Sequence, residues 1–194
     1  MRFRAGLIAG ALGLLAALVP VAPKADEAAL AALKAGGHVM IVRHGLTTPG
    51  FGDPLGFKLD DCATQRNLVE EGREQSRRLG KLLRERGVEI ERVFSSEWCR
   101  CKETAALIDL GKVETLPALN NLVGRREFLE PQTRELRAAI ATWRGKGTLL
   151  LVTHGSVVFP LTGTSPREAE GFVLKPALGT AEGFAIVGKI GPEG

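Results

Sequence analysis

The chain has 194 residues, of which 44% are hydrophobic and 25% charged. This composition suits one globular domain and excludes a disordered chain, which would lack the apolar residues to fill a core. The formal charge is +4, but Arg2, Arg4 and Lys24 lie in the first 25 residues, where no acidic residue occurs. Without that segment the chain is close to neutral, which excludes a broad basic footprint for nucleic acid.

In chain order, Arg2 and Arg4 precede an apolar run from Ala5 to Ala22. A basic start followed by an apolar core reads as a signal peptide for export to the periplasm or beyond. The run also approaches the ~18 residues at which a membrane-spanning helix becomes feasible. Pro23 interrupts the small-residue pattern that would mark a cut after Ala25. Residues 1–25 are therefore expected to be a leader or an N-terminal anchor, and residues 26–194 the working domain. Membrane association is expected only through an uncleaved leader.

The segment from Asp26 to Ala35 reads as a short helix stopped by Gly36 and Gly37. His38 to Arg43 is a β-rich run, in which His38 reads as a hydrogen-bonded structural residue. Gly45 to Asn67 is rich in Gly, Pro, Asp and Thr, and a loop this long in a compact domain usually has a function. Glu70 to Arg86 is a helix with Leu79, Leu82 and Leu83 on its inner stripe, ended by Gly87. Its Arg77, Arg78, Arg84 and Arg86 read as a solvated face. Arg92 to Ser95 is a strand, Glu97 to Leu110 a helix, Val113 to Leu116 a strand and Glu130 to Arg144 a helix. Thr148 to Thr153 is an uninterrupted apolar strand suited to burial on both faces. Phe184 to Ile190 supplies an edge strand. This alternation predicts an α/β fold, a mainly parallel central sheet with helices on both faces.

The cysteines are Cys62, Cys99 and Cys101. Export would place them in an oxidising space. Cys62 can pair with either of the others, leaving one thiol, whereas Cys99 and Cys101 are too close together to pair comfortably. No C-x2-C pair or matching histidine spacing points to zinc. Neither a metal nor a cofactor is expected.

In parallel sheets, ligands gather where strands end at their carboxyl termini. His44 follows the strand ending at Arg43, His154 follows the strand ending at Thr153, and Arg100 lies just beyond Ser95-Ser96. Two imidazoles and two guanidiniums thus converge, an arrangement suited to a phosphate group. The positive charges of Arg43 and Arg100 would keep His44 neutral and nucleophilic, and those arginines and His154 could stabilise charge on phosphoryl oxygens.

Arg43-His44-Gly45 with Thr47 resembles the RHGxT signature of the histidine phosphatase superfamily, the phosphoglycerate-mutase-like proteins. Ser95-Ser96, Arg100 and Thr104-Ala105 match its second block, SSxxxRxxxTA. Val152-Thr153-His154-Gly155 matches its third, and Gly72 and Gln75 resemble its GxxQ helix. The resemblance covers about Val39 to Gly163. It implies a three-layer sandwich, with His44 as nucleophile of a phosphohistidine intermediate, no metal, and Arg43, Arg100 and His154 in the phosphate pocket. Thr47 is counted with the substrate-binding residues.

Two departures bear on the chemistry. Gly50 stands where the family often has Asn, and Asn121 where it commonly has a Glu general acid. Asp53 in the long loop is the first replacement candidate; Glu127, Glu130 or a leaving group that needs no acid are the others. The stretch Asp60 to Asn67, with Gly52-Asp53-Pro54, is similar to exported bacterial histidine phosphatases that include lipopolysaccharide-core heptose phosphatases. That similarity places Arg66 within reach of substrate. The expected partner is a small phosphorylated substrate, with a sugar phosphate or envelope glycan as one form. The expected activity is hydrolysis of a phosphomonoester or phosphoramidate; a phosphomutase and a catalytically weak phosphate-binding module are the alternatives.

Overall fold

The computed structural model describes residues 27–193, so the expected leader over residues 1–25 lies outside the described residues. None of the described helices is long and apolar enough to cross a membrane.

A six-stranded sheet forms the middle layer, in the order β3-β2-β4-β1-β5-β6. Its strands are β1 (Val39–Arg43), β2 (Ile90–Ser95), β3 (Val113–Thr115), β4 (Thr148–Thr153), β5 (Gly171–Pro176) and β6 (Phe184–Ile190). The first four are mutually parallel; β5 runs antiparallel to β1, and β6 antiparallel to β5. The helices are α1 (Glu27–Ala35), α2 (Glu70–Glu85), α3 (Cys99–Ile108), α4 (Leu129–Ala141) and α5 (Gly155–Thr162).

The central strands separate two apolar layers residue by residue. Met40, Val42, Leu150 and Val152 pack with α1, α2 and α3 on one face. Val39, Ile41, Leu149 and Leu151 pack with α4 and α5 on the other. Alternate side chains of a strand point to opposite faces, so a strand covered on both sides must be apolar throughout. This explains why β4 reads as an unbroken hydrophobic run.

The expected three-layer α/β architecture is the observed one, and β6 is an edge strand as expected. Two elements were not anticipated: α5, whose interior carries Pro160, and β5. The helix expected to run to Leu110 ends earlier, because Asp109 adopts a left-handed conformation at φ 54°.

Parallel register fixes the positions of the two histidines. Arg43 pairs with Thr153 across β1 and β4, so the next residue on each strand is His44 or His154. The backbone N–H of His44 then donates to the carbonyl of Thr153 at 2.9 Å. On the opposite side of β4, Ser95 pairs with Val152, which brings the start of α3 to the same end of the sheet.

Candidate active site

A cavity of about 350 Å3 opens at these strand ends, lined by Arg43, His44, Arg66, Arg100, His154 and Asn121 among others. The His44 and His154 rings meet edge to face, with centroids 5.3 Å apart. Both are buried, at 3% and 2% exposure.

Packing behind His44 sets its orientation. Gly45 and Gly72 are needed for close approach: a Cβ on Gly45 would lie 2.3 Å from the Gly72 carbonyl oxygen, and one on Gly72 would lie 2.0 Å from that of Leu46. The glycine after His44 thus admits helix α2. The Gly45 N–H donates to Thr104 Oγ1 and the Leu46 N–H to Gln75 Oε1, each at 3.0 Å. These contacts give Gly72, Gln75 and Thr104 a shared task, holding the backbone that carries His44. The His44 Nδ1–H donates to the Gly45 carbonyl at 2.8 Å, leaving Nε2 with its lone pair.

Electrostatics keep both rings neutral. Burial first, then the charges of Arg100, Arg43 and Arg66, bring His44 down to about 3, against the opposing hydrogen bond to Gly45. His154 is held well below the ordinary histidine value by burial first, then by His44 and the arginines. Its Nε2 lies 2.9 Å from Ser96 Oγ. The Ser96 hydroxyl donates to Asn120 Oδ1, so its oxygen accepts from His154 Nε2–H; Nδ1 then carries the ring's lone pair, with Cys101 Sγ 3.9 Å away. Neither Ser96 nor Asn120 had been singled out as a partner of His154; the paired serines of the second block were the available hint.

The three guanidiniums differ in their partners. Arg43 donates to the Pro166 carbonyl at 3.1 Å and pairs with Glu168 at 2.8 Å. Arg66 donates to the Gly50 carbonyl, which draws the glycine-rich loop over the cavity. In all three the Nε–H is buried and has no hydrogen-bond partner among the described residues. Arg78 and Arg137 share that property elsewhere; what sets the three apart is convergence on one cavity beside two imidazoles. Gly155 and Ser156, the first residues of α5, line the same space and add the positive end of a helix.

Asp53 is not among the residues that line this cavity, and its carboxylate is fully engaged. Its carboxylate accepts from both terminal nitrogens of Arg100, at 2.7 and 3.1 Å, from the Trp98 indole at 2.9 Å and from the Arg66 N–H at 3.0 Å. Burial alone would raise this carboxyl, but the bonds to Arg100, Arg66 and Trp98, with the Arg100 charge, outweigh it and hold Asp53 ionised. The expected role as general acid is therefore corrected: Asp53 fixes Arg100, and so occupies the fork expected to face phosphate. Glu127 and Glu130 are exposed and do not line the cavity. No lining residue among those described carries a carboxyl group. Thr47, also expected near the substrate, is outside the lining and bridges to Leu68 through its backbone.

Of the remaining expectations, His38 Nδ1 lies 2.6 Å from the Gly36 carbonyl, a structural contact. Arg77 and Arg78 pair with exposed glutamates of α2. Arg84 instead donates to the Ile108 and Asp109 carbonyls and so closes the end of α3. Cys62 pairs with Cys99, and Cys101 is a buried thiol that burial pushes up to about 12.

Residues 39–143 match the model of the histidine phosphatase superfamily (branch 1). The chain belongs to this superfamily. His154 lies beyond the matched residues, and the β1–β4 register supplies its place in the site. No curated protein matches the chain in sequence. Among solved structures, phosphoserine phosphatase from Entamoeba histolytica, in complex with 3-phosphoglyceric acid, superposes with a TM-score of 0.57 at 12% identity, over 78% of this chain and 95% of its own. Mycobacterial glucosyl-3-phosphoglycerate phosphatase superposes with a TM-score of 0.54 at 16% identity, covering 77% of this chain and 95% of its own. A protein provisionally assigned as phosphohistidine phosphatase SixA, from Agrobacterium tumefaciens, gives 0.54 at 15% identity, over 80% and 98%. At these identities the likeness establishes the shared fold.

Proposed function

We propose that this protein is a phosphatase that transfers a phosphoryl group to His44 Nε2 and then to water. The observation that carries the proposal is the single cavity in which a neutral, correctly protonated His44 meets His154 and the guanidiniums of Arg43, Arg66 and Arg100. The Nε2 lone pair forms the N–P bond as the bond from phosphorus to the leaving atom breaks, its electron pair departing with that atom. The phosphorylated ring gains positive character, which the Gly45 carbonyl stabilises by accepting from its Nδ1–H. Water then attacks phosphorus, the N–P bond breaks, and the water proton goes to His154 Nδ1, whose Nε2–H is held by Ser96. The arginines stabilise the charge spread over the phosphoryl oxygens in both steps.

The carboxyl-free cavity favours leaving groups that need no proton from the protein: phenolates, or the nitrogen of a phosphoramidate that already carries its own proton. A cavity of this size suits a small phosphorylated molecule. The Cys62–Cys99 disulfide supports an exported domain behind residues 1–25, since disulfides persist in oxidising compartments.

Purified protein, assayed with 4-nitrophenyl phosphate and without added metal, is expected to turn over and to yield an acid-labile phosphoryl adduct. His44→Ala should lose both, with turnover falling by roughly a thousandfold or more. Tight phosphate binding without turnover would favour the binding module, which the missing acid also fits, and phosphoryl transfer to added alcohols in preference to water would favour a mutase. A second expectation concerns Asn121→Glu, which restores a carboxyl at the cavity wall. It should raise turnover of alkyl phosphates relative to aryl ones, by a factor within the roughly 10²–10⁴ that a positioned acid supplies. An unchanged ratio would remove the missing acid as the reason for substrate choice.

A further inference from the structure

Beside the phosphate cavity lies a second one of about 360 Å3, and the two share Phe51, Gly52, Asn121 and Val123 in their walls. The second cavity adds Leu55, Phe57, Trp98 and Arg125. Nothing in the proposed phosphoryl transfer uses it. We propose that it receives an aromatic leaving group, so that the substrates of this site are aryl phosphates; the assignment rests on the phosphatase reading above.

Three observations lead there. First, the rings are continuous with the reacting centre. Phe57 lies 5.6 Å from Trp98, Trp98 meets His154 edge to face at 5.5 Å, and His154 meets His44 at 5.3 Å. A group attached to phosphorus at His44 therefore has aromatic walls next to it.

Second, most side-chain acceptors of the second cavity are already committed. Asp53 is taken up by Arg100, Arg66 and Trp98, and the Trp98 indole N–H is spent on Asp53. Asn121 Oδ1 accepts from Ser156 and from the Val123 N–H. A sugar placed here would find donors in Arg125 and the Asn121 amide but few side-chain acceptors for its own hydroxyl groups, and each one left unpaired costs affinity. A flat apolar ring has no such requirement. Offset and edge-on contacts with Phe57 and Trp98 suit it, and the Arg125 guanidinium, 5.7 Å from the Trp98 ring centroid, favours a π-face close by.

Third, the rim carries apolar side chains that the folded chain leaves uncovered. Phe51 is 88% exposed and Leu55 fully so, in a loop turned by Gly50, Gly52 and Gly56 at positive φ. Exposed apolar side chains clustered at the mouth of a cleft mark a surface that a ligand covers.

The test compares leaving groups of similar basicity and different size, phenyl phosphate and 2-naphthyl phosphate, with inorganic phosphoramidate as a substrate too small to reach the second cavity. The wild type is expected to prefer naphthyl over phenyl phosphate in kcat/KM by about tenfold, the scale on which a hydrophobic pocket discriminates. Leu55→Asp, at a position too exposed to affect folding, and Phe57→Ala, checked by thermal melting, should each erase most of that preference while phosphoramidate turnover falls far less. A naphthyl-to-phenyl ratio near one in the wild type, or a ratio that neither variant moves, overturns the assignment. A glucose phosphate turned over better than naphthyl phosphate does so as well. In each of those cases some His44-dependent hydrolysis persists; absence of turnover on all of these substrates would instead sink the phosphatase reading, and the leaving-group assignment with it.

Discussion

Asp53 and Arg100 bury opposite charges against each other, their side chains 2% and 1% exposed. Removing one charge from such a pair strands the other, at a typical cost of about 3–5 kcal/mol. Asp53→Asn is therefore expected to lower stability on that scale in urea unfolding, and to reduce turnover of aryl and alkyl phosphates by similar factors because Arg100 loses its anchor. A loss confined to alkyl phosphates would return Asp53 to the proton-donating role. The sequence made His44, His154 and Arg100 legible because each follows the carboxyl end of a strand. It could not reveal the Asp53–Arg100 pair, since 47 residues separate the partners and no local pattern links a glycine-rich loop to a helix. Asn121 was legible as a missing acid, whereas its bonds to Ser156 and Val123 depend on the fold.

Helices α2 and α3 touch through backbone where α2 carries Gly80. A Cβ there would lie 2.1 Å from the Ile108 carbonyl oxygen. Alanine is the better helix former by about 1 kcal/mol, so propensity alone predicts that Gly80→Ala stabilises the protein. The contact predicts the opposite, a net loss of about 1–3 kcal/mol as the helices are forced apart. Denaturant unfolding decides between them, and an equally stable or more stable variant would show that the helices separate without cost. At this scale the strongly periodic α2 and the apolar β4 were readable from the sequence. Element α5 was not, because Pro160 interrupts its pattern, and β5 is a short run flanked by glycine and ending in proline.

Across the whole molecule, stability should depend on pH through the two site histidines. His44 is lowered to about 3, and His154 is lowered in the same direction. Below the unfolded value near 6.5 the unfolded chain takes up protons that the folded state refuses, so stability is complete above that value and falls as pH drops towards 3. The loss from His44 approaches about 1.4 kcal/mol per pH unit in that window. Unfolding free energies measured from pH 7 to pH 4 should fall less steeply in His44→Asn than in the wild type. Equal slopes would mean that His44 is protonated in the folded protein. The parallel core of the sheet was foreseeable from alternating strands and helices; the antiparallel β5 was not, and its pairing with β1 and β6 depends on contacts far apart in the chain.

The Cys62–Cys99 bond joins two places 37 residues apart in sequence, one in the long loop and the other at the first residue of α3. Arg66 lies inside the ring of chain that this bond closes, and Arg100 is the residue just after it. Two of the cavity's arginines are thus tethered close to one another by covalent structure. The spacing between them is set when the thiols oxidise, and a substrate arriving later meets a grip that has already been cast.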